Sequence, residues 1–244
     1  MNIYIINLKR SSDRKNAMIN EVFKLNNTFD VHFFNAIDCQ ENEHIPFKTK
    51  YFSKLTKYFR AKDLTAGELA CYASHYCMWL ECIKLNEPII VLEDDIIIEN
   101  HFAEGIKNII SSNYSFVKLS SINIYSKDRA KTNHYINKNF ILSHKRVDGA
   151  QGYYITPFAA NAFIKHSRKW YKPVDDYMES FWIHNIPIIT YHPRLIEDHP
   201  NWKTTTIEHR KIKVPFRYKI TRELSQLFRD IRRQINIHSK NYDI

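Results

Sequence analysis

The chain opens on Ile3-Tyr4-Ile5-Ile6-Asn7-Leu8, a run of β-branched, aromatic and aliphatic side chains without polar alternation. Such a run predicts a strand covered on both faces, as in a parallel sheet. Lys9-Arg10-Ser11-Ser12-Asp13-Arg14 then forms a polar turn whose serines are placed to cap a helix reaching Leu25. Val31–Ala36 supplies the next strand, and strand, helix, strand in this order make a βαβ unit. Thr49–Lys62 is rich in lysine and aromatics with weak periodicity and reads as loop with some helix. Thr65-Ala66-Gly67-Glu68 has the capping-box spacing and introduces a long apolar helix to about Leu85. A second buried strand, Pro88–Leu92, ends abruptly in Glu93-Asp94-Asp95. Later strands are predicted at Ser115–Leu119, Gly152–Ile155 and Ile188–Tyr191, with helices over Phe158–Arg168 and Val174–Asn185. Near the end, Ile220, Leu224, Leu227, Phe228, Ile231 and Ile235 keep a helical stripe, while Arg222, Arg229, Arg232 and Arg233 lie mostly off it.

The alternation of strands and helices over 244 residues fits one large α/β domain. Composition narrows the chemistry. The four glycines, Gly67, Gly105, Gly149 and Gly152, cannot spell a dinucleotide fingerprint or a P-loop. Any phosphate must then be held by a metal ion or by arginines. The net charge of +10 is concentrated late: Lys203 to Ile244 holds eleven basic and four acidic residues. A basic tail points to nucleic acid or an anionic membrane surface. Cys39, Cys71, Cys77 and Cys82 show neither zinc-finger spacing nor a disulfide framework, and three of them fall in the apolar helix as buried thiols. The apolar start is too short for a signal peptide, and no run approaches the roughly 20 residues that span a bilayer. A cytoplasmic-side protein is expected.

Glu93-Asp94-Asp95 carries the strongest chemical signal. Three like charges at the end of an apolar strand repel one another, and in open α/β sheets ligands bind beyond the carboxyl ends of strands. Acidic oxygens there suit Mg²⁺ or Mn²⁺ bridging a pyrophosphate; an acidic solvated turn is the plain alternative. After the first strand, Arg10 and Arg14 could pair with phosphate or stack on a base, and Asp13 could accept from ribose or uracil-like groups. In the apolar helix, Glu68 is explained by its capping role, whereas Ser74 and His75 read equally as site residues or as hydrogen-bonded core groups.

These stretches together resemble glycosyltransferase family 25, the bacterial lipooligosaccharide galactosyltransferases and their collagen-modifying relatives. The resemblance lies in Ile6-Asn7-Leu8 with Asp13-Arg14, in Gly67-Glu68 with Cys71, Ser74-His75 and Trp79, and in Val91–Asp95. It continues through Gly152–Thr156, Pro173-Val174-Asp175 and Pro193–Ile196, in order, from residue 2 to about residue 208. It implies a GT-A-like domain over residues 1–208, with a central, mostly parallel sheet flanked by helices. Residues 209–244 are then a basic amphipathic helical tail. It further implies a UDP-sugar donor, most often UDP-galactose, and inversion at the anomeric carbon. Donor-binding residues would be Asn7, Leu8, Arg10, Asp13, Arg14, Glu68, Ser74, His75, Glu93 and Asp94. Asp95 would ligate Mn²⁺ or Mg²⁺ with Glu93. The chain reads Glu197-Asp198-His199 where the family more usually has a glutamine after Pro-x-Leu; His199 is the candidate third ligand, with His192 and Asp198 as rivals.

An inverting transfer needs a base to deprotonate the acceptor hydroxyl. Asp175 and Asp176 follow a proline at a predicted helix start, where aspartates also complement the helix dipole. The family's Pro-x-Asp favours Asp175 as base, with Asp176 second. The acceptor implied is a saccharide on a lipid A core, met by an enzyme held peripherally at the anionic inner membrane through its tail. A nucleic-acid-binding protein and a metal-dependent phosphohydrolase compete. For the first, the stacking aromatics in the tail are thin, with Phe216, Tyr218 and Phe228 partly on the apolar stripe, and the second wants a fuller two-metal ligand set, so no nucleic-acid partner is expected.

Overall fold

The computed structural model describes residues 1–120, 133–143, 146–201 and 216–239. β1 (Asn2–Asn7), α1 (Ser12–Phe23) and β2 (Asp30–Asn35) form the expected βαβ unit, β1 and β2 pairing in parallel from Asn2↔Asp30 to Asn7↔Asn35. A 3₁₀ turn at Ile45–Lys50 and α2 (Ser53–Arg60) fill the stretch of weak periodicity. α3 (Ala66–Leu85) leads into β3 (Ile89–Glu93) and β4 (Ile96–Ile98), then α4 (Phe102–Ile110) and β5 (Phe116–Lys118). β6 (Asn133–Asn137), β7 (Phe140–Ser143), β8 (Gly152–Ile155) and α5 (Pro157–His166) follow. The last elements are α6 (Val174–Met178), α7 (Phe181–His184), β9 (Ile189–Tyr191), β10 (Ile196–Asp198) and α8 (Phe216–Ser239).

Eight strands make one sheet in the order β2-β1-β3-β8-β5-β9-β7-β6, and β4 pairs with β10 in a separate antiparallel ribbon. Only β7 and β8 run against the rest of the large sheet, so it is mixed but mostly parallel in direction. The unbroken apolar runs now have their reason. Ile6, Ile89 and Val91 enter the layer beneath α3 and α5 with Trp79, Phe163 and Trp170. Ile3, Ile5, Ile90 and Leu92 enter the opposite layer with Met18, Phe102 and Ile106. Both faces are covered, so successive residues are apolar.

The capping box forms as its spacing predicts: Thr65 Oγ1 accepts from the Glu68 N–H at 3.1 Å, and Glu68 Oε2 accepts from the Thr65 N–H at 2.7 Å. The helix predicted across Val174–Asn185 instead breaks into α6 and α7. At the break, Ser180 Oγ donates to the Asp176 carbonyl at 2.6 Å and accepts from Lys172 Nζ at 2.9 Å. This is the local side-chain competition that ends helices. The ribbon of β4 and β10 was not visible as a strand pattern. It packs tightly where Gly152 lacks a side chain, since a Cβ there would run into Ile196 and Leu92.

α8 forms where the stripe predicts a helix. Its stripe of Ile220, Leu224, Leu227, Phe228, Ile231 and Ile235 faces outward, each side chain about half exposed. The helix rests on α2, and the side chains it buries are Ser225 and Arg233. Arg233 pairs with the buried Glu179 carboxylate. Of the arginines read beside the stripe as headgroup contacts, Arg233 turns inward, because a buried carboxylate demands a cation, while Arg222 and Arg229 are half-buried. Arg232 stays outside, over the Phe228 ring.

Candidate active site

Two clefts open at the carboxyl ends of the central strands. The first, of about 220 Å³, lies between the ends of β1, β2 and β3 and the N-terminal half of α3. Leu8, Arg10, Arg14, Ser74, His75 and the Glu93–Asp95 triplet all border it. The triplet's members differ sharply in what they do. Asp94 is buried and accepts from Asn7 Nδ2 at 2.7 Å and from an Arg14 guanidinium nitrogen at 3.0 Å. Asn7 and Asp94 thus join β1 to β3 and serve the cleft from behind its wall. Asp95 Oδ2 lies 3.5 Å from the same guanidinium, while its Oδ1 is buried with no hydrogen-bond partner. Burial first and the Glu93 charge second raise the Asp95 carboxyl to about 7. An orphaned carboxylate oxygen beside further carboxylates is a donor set that fits a hard divalent cation.

Glu93 is oriented by α3. His75 Nε2 lies 3.2 Å from Glu93 Oε1, and His75 Nδ1 lies 3.0 Å from the Tyr153 hydroxyl, which also accepts from Trp79 Nε1 at 3.1 Å. His75 is thus a fully buried ring fixed at both nitrogens, and the tautomer follows from those partners. Cys71 joins it: among the described residues, Cys71, His75 and Glu93 form a group whose ligating atoms all lie within 4.8 Å of one another. Ser74 has a structural bond, accepting from the Ile37 N–H at 2.9 Å and so tying the loop after β2 to α3. Arg10 is engaged by Asp38 at 2.6 Å, a cleft residue that sequence reading missed. Asp13 sits in the first turn of α1 and does not border either cleft. His199 meets Asp95 through the backbone, its N–H donating to the Asp95 carbonyl at 2.8 Å, while its Nδ1 accepts from the Asn201 N–H. Asp198 lies close enough to raise Asp95 further.

The second cleft, of about 650 Å³, shares Cys71 and Glu93 with the first. It is bordered by Glu68, Asp175, Asp176 and Arg146, and by Arg222, Gln226 and Arg229 of α8. Glu68, beyond its capping role, pairs with Arg60 at 2.8 Å. Asp176 pairs with Arg146 at 2.6 Å, whereas Asp175 lies 3.7 Å from the same group with 30% of its side chain exposed. Burial first, then the Asp176 charge, raise the Asp175 carboxyl above the usual range. Behind them Lys118 donates to the Val147 carbonyl at 2.7 Å, and Glu179 accepts from the Val147 N–H at 3.0 Å. Burial pulls the Lys118 ammonium down to about 8. Lys118 had left a signal: a lysine inside the apolar run Phe116-Val117-Lys118-Leu119 needs a buried partner. Arg146 and Arg233 left none.

Comparison with known proteins agrees with this geometry. The model of Glycosyltransferase family 25 (LPS biosynthesis protein) matches residues 1–178. A glycosyltransferase 25 family member of Aedes aegypti is 32% identical over 112 residues, covering 44% of this chain and 18% of that protein. Procollagen galactosyltransferase 2 of Homo sapiens is 29% identical over 114 residues, covering 45% and 18%. The chain spans less than a fifth of the length of these relatives. Among solved structures, mouse xyloside xylosyltransferase 1 in its apo form aligns with a TM-score of 0.37 at 11% identity, over 77% of this chain and 70% of that one. The family match takes in β1, β3, α3 and the Asp175–Asp176 pair, the elements that build the walls of both clefts, and on that match the chain belongs to glycosyltransferase family 25.

Proposed function

We propose that this chain is an inverting, metal-dependent galactosyltransferase that uses UDP-galactose and extends a saccharide on a lipooligosaccharide or lipopolysaccharide core. The observation that carries the reading is the meeting of two clefts at Glu93 and Cys71. In an inverting transfer the acceptor hydroxyl attacks the anomeric carbon opposite the leaving diphosphate, so the two substrates must approach one point from two sides. The cleft under Arg10 and Arg14 is the donor side, and the cleft under Asp175 is the acceptor side.

Asp95 and Glu93 would hold Mn²⁺ or Mg²⁺, with Asp198, whose charge reaches Asp95, and His199, joined to Asp95 through the backbone, as candidates to complete the set; the ion would neutralise charge building on the leaving diphosphate. Arg14 steadies Asp94 and Asp95, and His75 fixes Glu93. Asp175 accepts the proton of the attacking hydroxyl. Its raised pKa strengthens it as a base, while Asp176, held by Arg146, keeps the start of α6 in place. Two names among the relatives, procollagen galactosyltransferases 1 and 2, support galactose as the sugar.

The apolar outer face of α8, with Arg232 beside it, supports peripheral attachment to the anionic inner membrane, where a lipid-linked acceptor is concentrated. No helix of the described residues is long and apolar enough to cross a membrane. The direct test is a product assay: UDP-galactose, UDP-glucose and UDP-N-acetylglucosamine are each incubated with Mn²⁺ and a core oligosaccharide, and the sugar product is identified. Transfer of galactose with inverted anomeric configuration is the expected result. Retention of configuration, or release of inorganic phosphate from the nucleotide, would displace the reading. For the membrane, Leu224→Gln with Leu227→Gln should abolish co-sedimentation with phosphatidylglycerol vesicles at low salt; unchanged sedimentation would remove that part.

A further inference from the structure

The acceptor-side cleft is electrically divided. Glu93, Asp175 and Asp176 border it, and so do Arg222, Gln226 and Arg229 of α8. These three recur at i, i+4 and i+7, so they share one helix face, with the two guanidinium groups roughly 10 Å apart along the axis. The other cations bordering the cleft are committed: Arg60 to Glu68, and Arg146 to Asp148, Asp175 and Asp176. Arg229 is not. It ion-pairs with no carboxylate among the described residues, although Arg233, one turn further on, has a buried one. Arg222 is engaged only by its exposed neighbour Glu223, at 2.6 Å, a pair that water screens and a ligand can replace.

Arg229 is also felt at Lys172, which burial pulls down to about 8 and which Asp176 raises and Arg229 lowers. Arginines that only needed solvation would have gone outward, where Ile220, Leu224 and Leu227 are instead exposed. The helix thus keeps apolar side chains in solvent and aims cations into the cleft, the reverse of what burial alone would choose.

We propose that Arg222 and Arg229 form an anion subsite, so that the acceptor is an acidic saccharide, bearing a phosphate or a carboxylate at a distance from the hydroxyl presented to Asp175. The guanidinium fork pairs with either anion through two parallel hydrogen bonds. This rests on the assignment of the second cleft to the acceptor. It adds a specificity determinant in α8, beyond the residues that the family model matches.

The test is calorimetric binding to the full chain with the donor cleft first filled by saturating UDP and Mn²⁺. Probes are glucose, glucose 6-phosphate and glucuronic acid, which separate phosphate from carboxylate. One or both charged sugars should bind at least about tenfold more tightly than glucose, with the advantage shrinking as salt is raised. Arg222→Gln with Arg229→Gln should bring the charged and neutral sugars to within about twofold, and Arg229→Lys should restore part of the difference. Equal binding of all three sugars by the wild-type chain overturns the proposal, as does an advantage that survives in the double glutamine variant. Failure to bind UDP with Mn²⁺ in the first step counts instead against the glycosyltransferase reading itself.

Discussion

The two clefts are built in different ways. The proposed donor side is lined from the first 95 residues by elements that obey local rules: apolar strands β1, β2 and β3, and a helix opened by a capping box. The acceptor side gathers α2, the Arg146–Gln151 loop, α6 and α8 from distant parts of the chain. Its walls are held by ion pairs, the half-exposed Arg146 with Asp176 and the buried Arg233 with Glu179. A site of the first kind follows from pattern and tolerates little change in its few charges. A site of the second kind adds loop and helix residues from outside those strands, which allows its ligand to change while the strand-end chemistry stays fixed.

The largest effect should come from the donor side. Asp95→Ala, or EDTA on the wild-type chain, should lower transfer by about 10³-fold or more, the EDTA effect being reversed by Mn²⁺, with an unaltered circular dichroism spectrum. Full activity in EDTA would remove the metal. On the acceptor side, Asp175→Asn should cut kcat by roughly 10²–10⁴. Because burial and Asp176 raise the Asp175 carboxyl, the base is unprotonated only above the ordinary aspartate range, and the acid limb of the pH–rate profile should lie correspondingly high. Asp176→Asn removes the like charge and should move that limb to lower pH; a limb that does not move would point to another base.

The ion pairs offer a stability test. Arg233→Met leaves the Glu179 carboxylate buried without its cation and should cost about 3–5 kcal/mol in denaturant unfolding. A cost below about 1 kcal/mol would mean that α8 is not fastened to the domain as described. The smallest effect concerns Asp95 again. Its folded pKa of about 7 lies above an unfolded value near 4, so its contribution to stability is present at low pH and is lost as pH rises through 7. A divalent ion needs the deprotonated carboxylate and relieves that loss. The rise in Tm on adding Mn²⁺ should therefore be larger at pH 8 than at pH 6, and an equal rise at both would contradict it.

The same contrast explains what the sequence made legible. Ile3–Ile6 and Ile89–Leu92 are apolar at every position because both sheet faces are covered, and that is visible without a structure. The acidic triplet was visible as a site, but its division of labour was not: Asp94 turns back to Asn7 and Arg14, partners more than 75 residues away that no spacing encodes. The Pro173-Val174-Asp175-Asp176 signal placed a carboxylate pair correctly at a helix start, while its Arg146 partner, about 30 residues earlier in a loop, had no pattern to betray it. For α8 the periodicity was legible and the partner of Arg233 was not. A helical wheel shows a stripe, but which face the domain takes was decided by Glu179, a residue more than 50 positions away.

The account's central claim is that one point is served by two separable clefts, and calorimetric titration of UDP with Mn²⁺ tests it most directly. The wild-type chain and Asp175→Asn should bind within about threefold of each other, and Asp95→Ala should bind at least about a hundredfold more weakly. Equal loss in both variants, or equal binding by all three proteins, would contradict the division of the site.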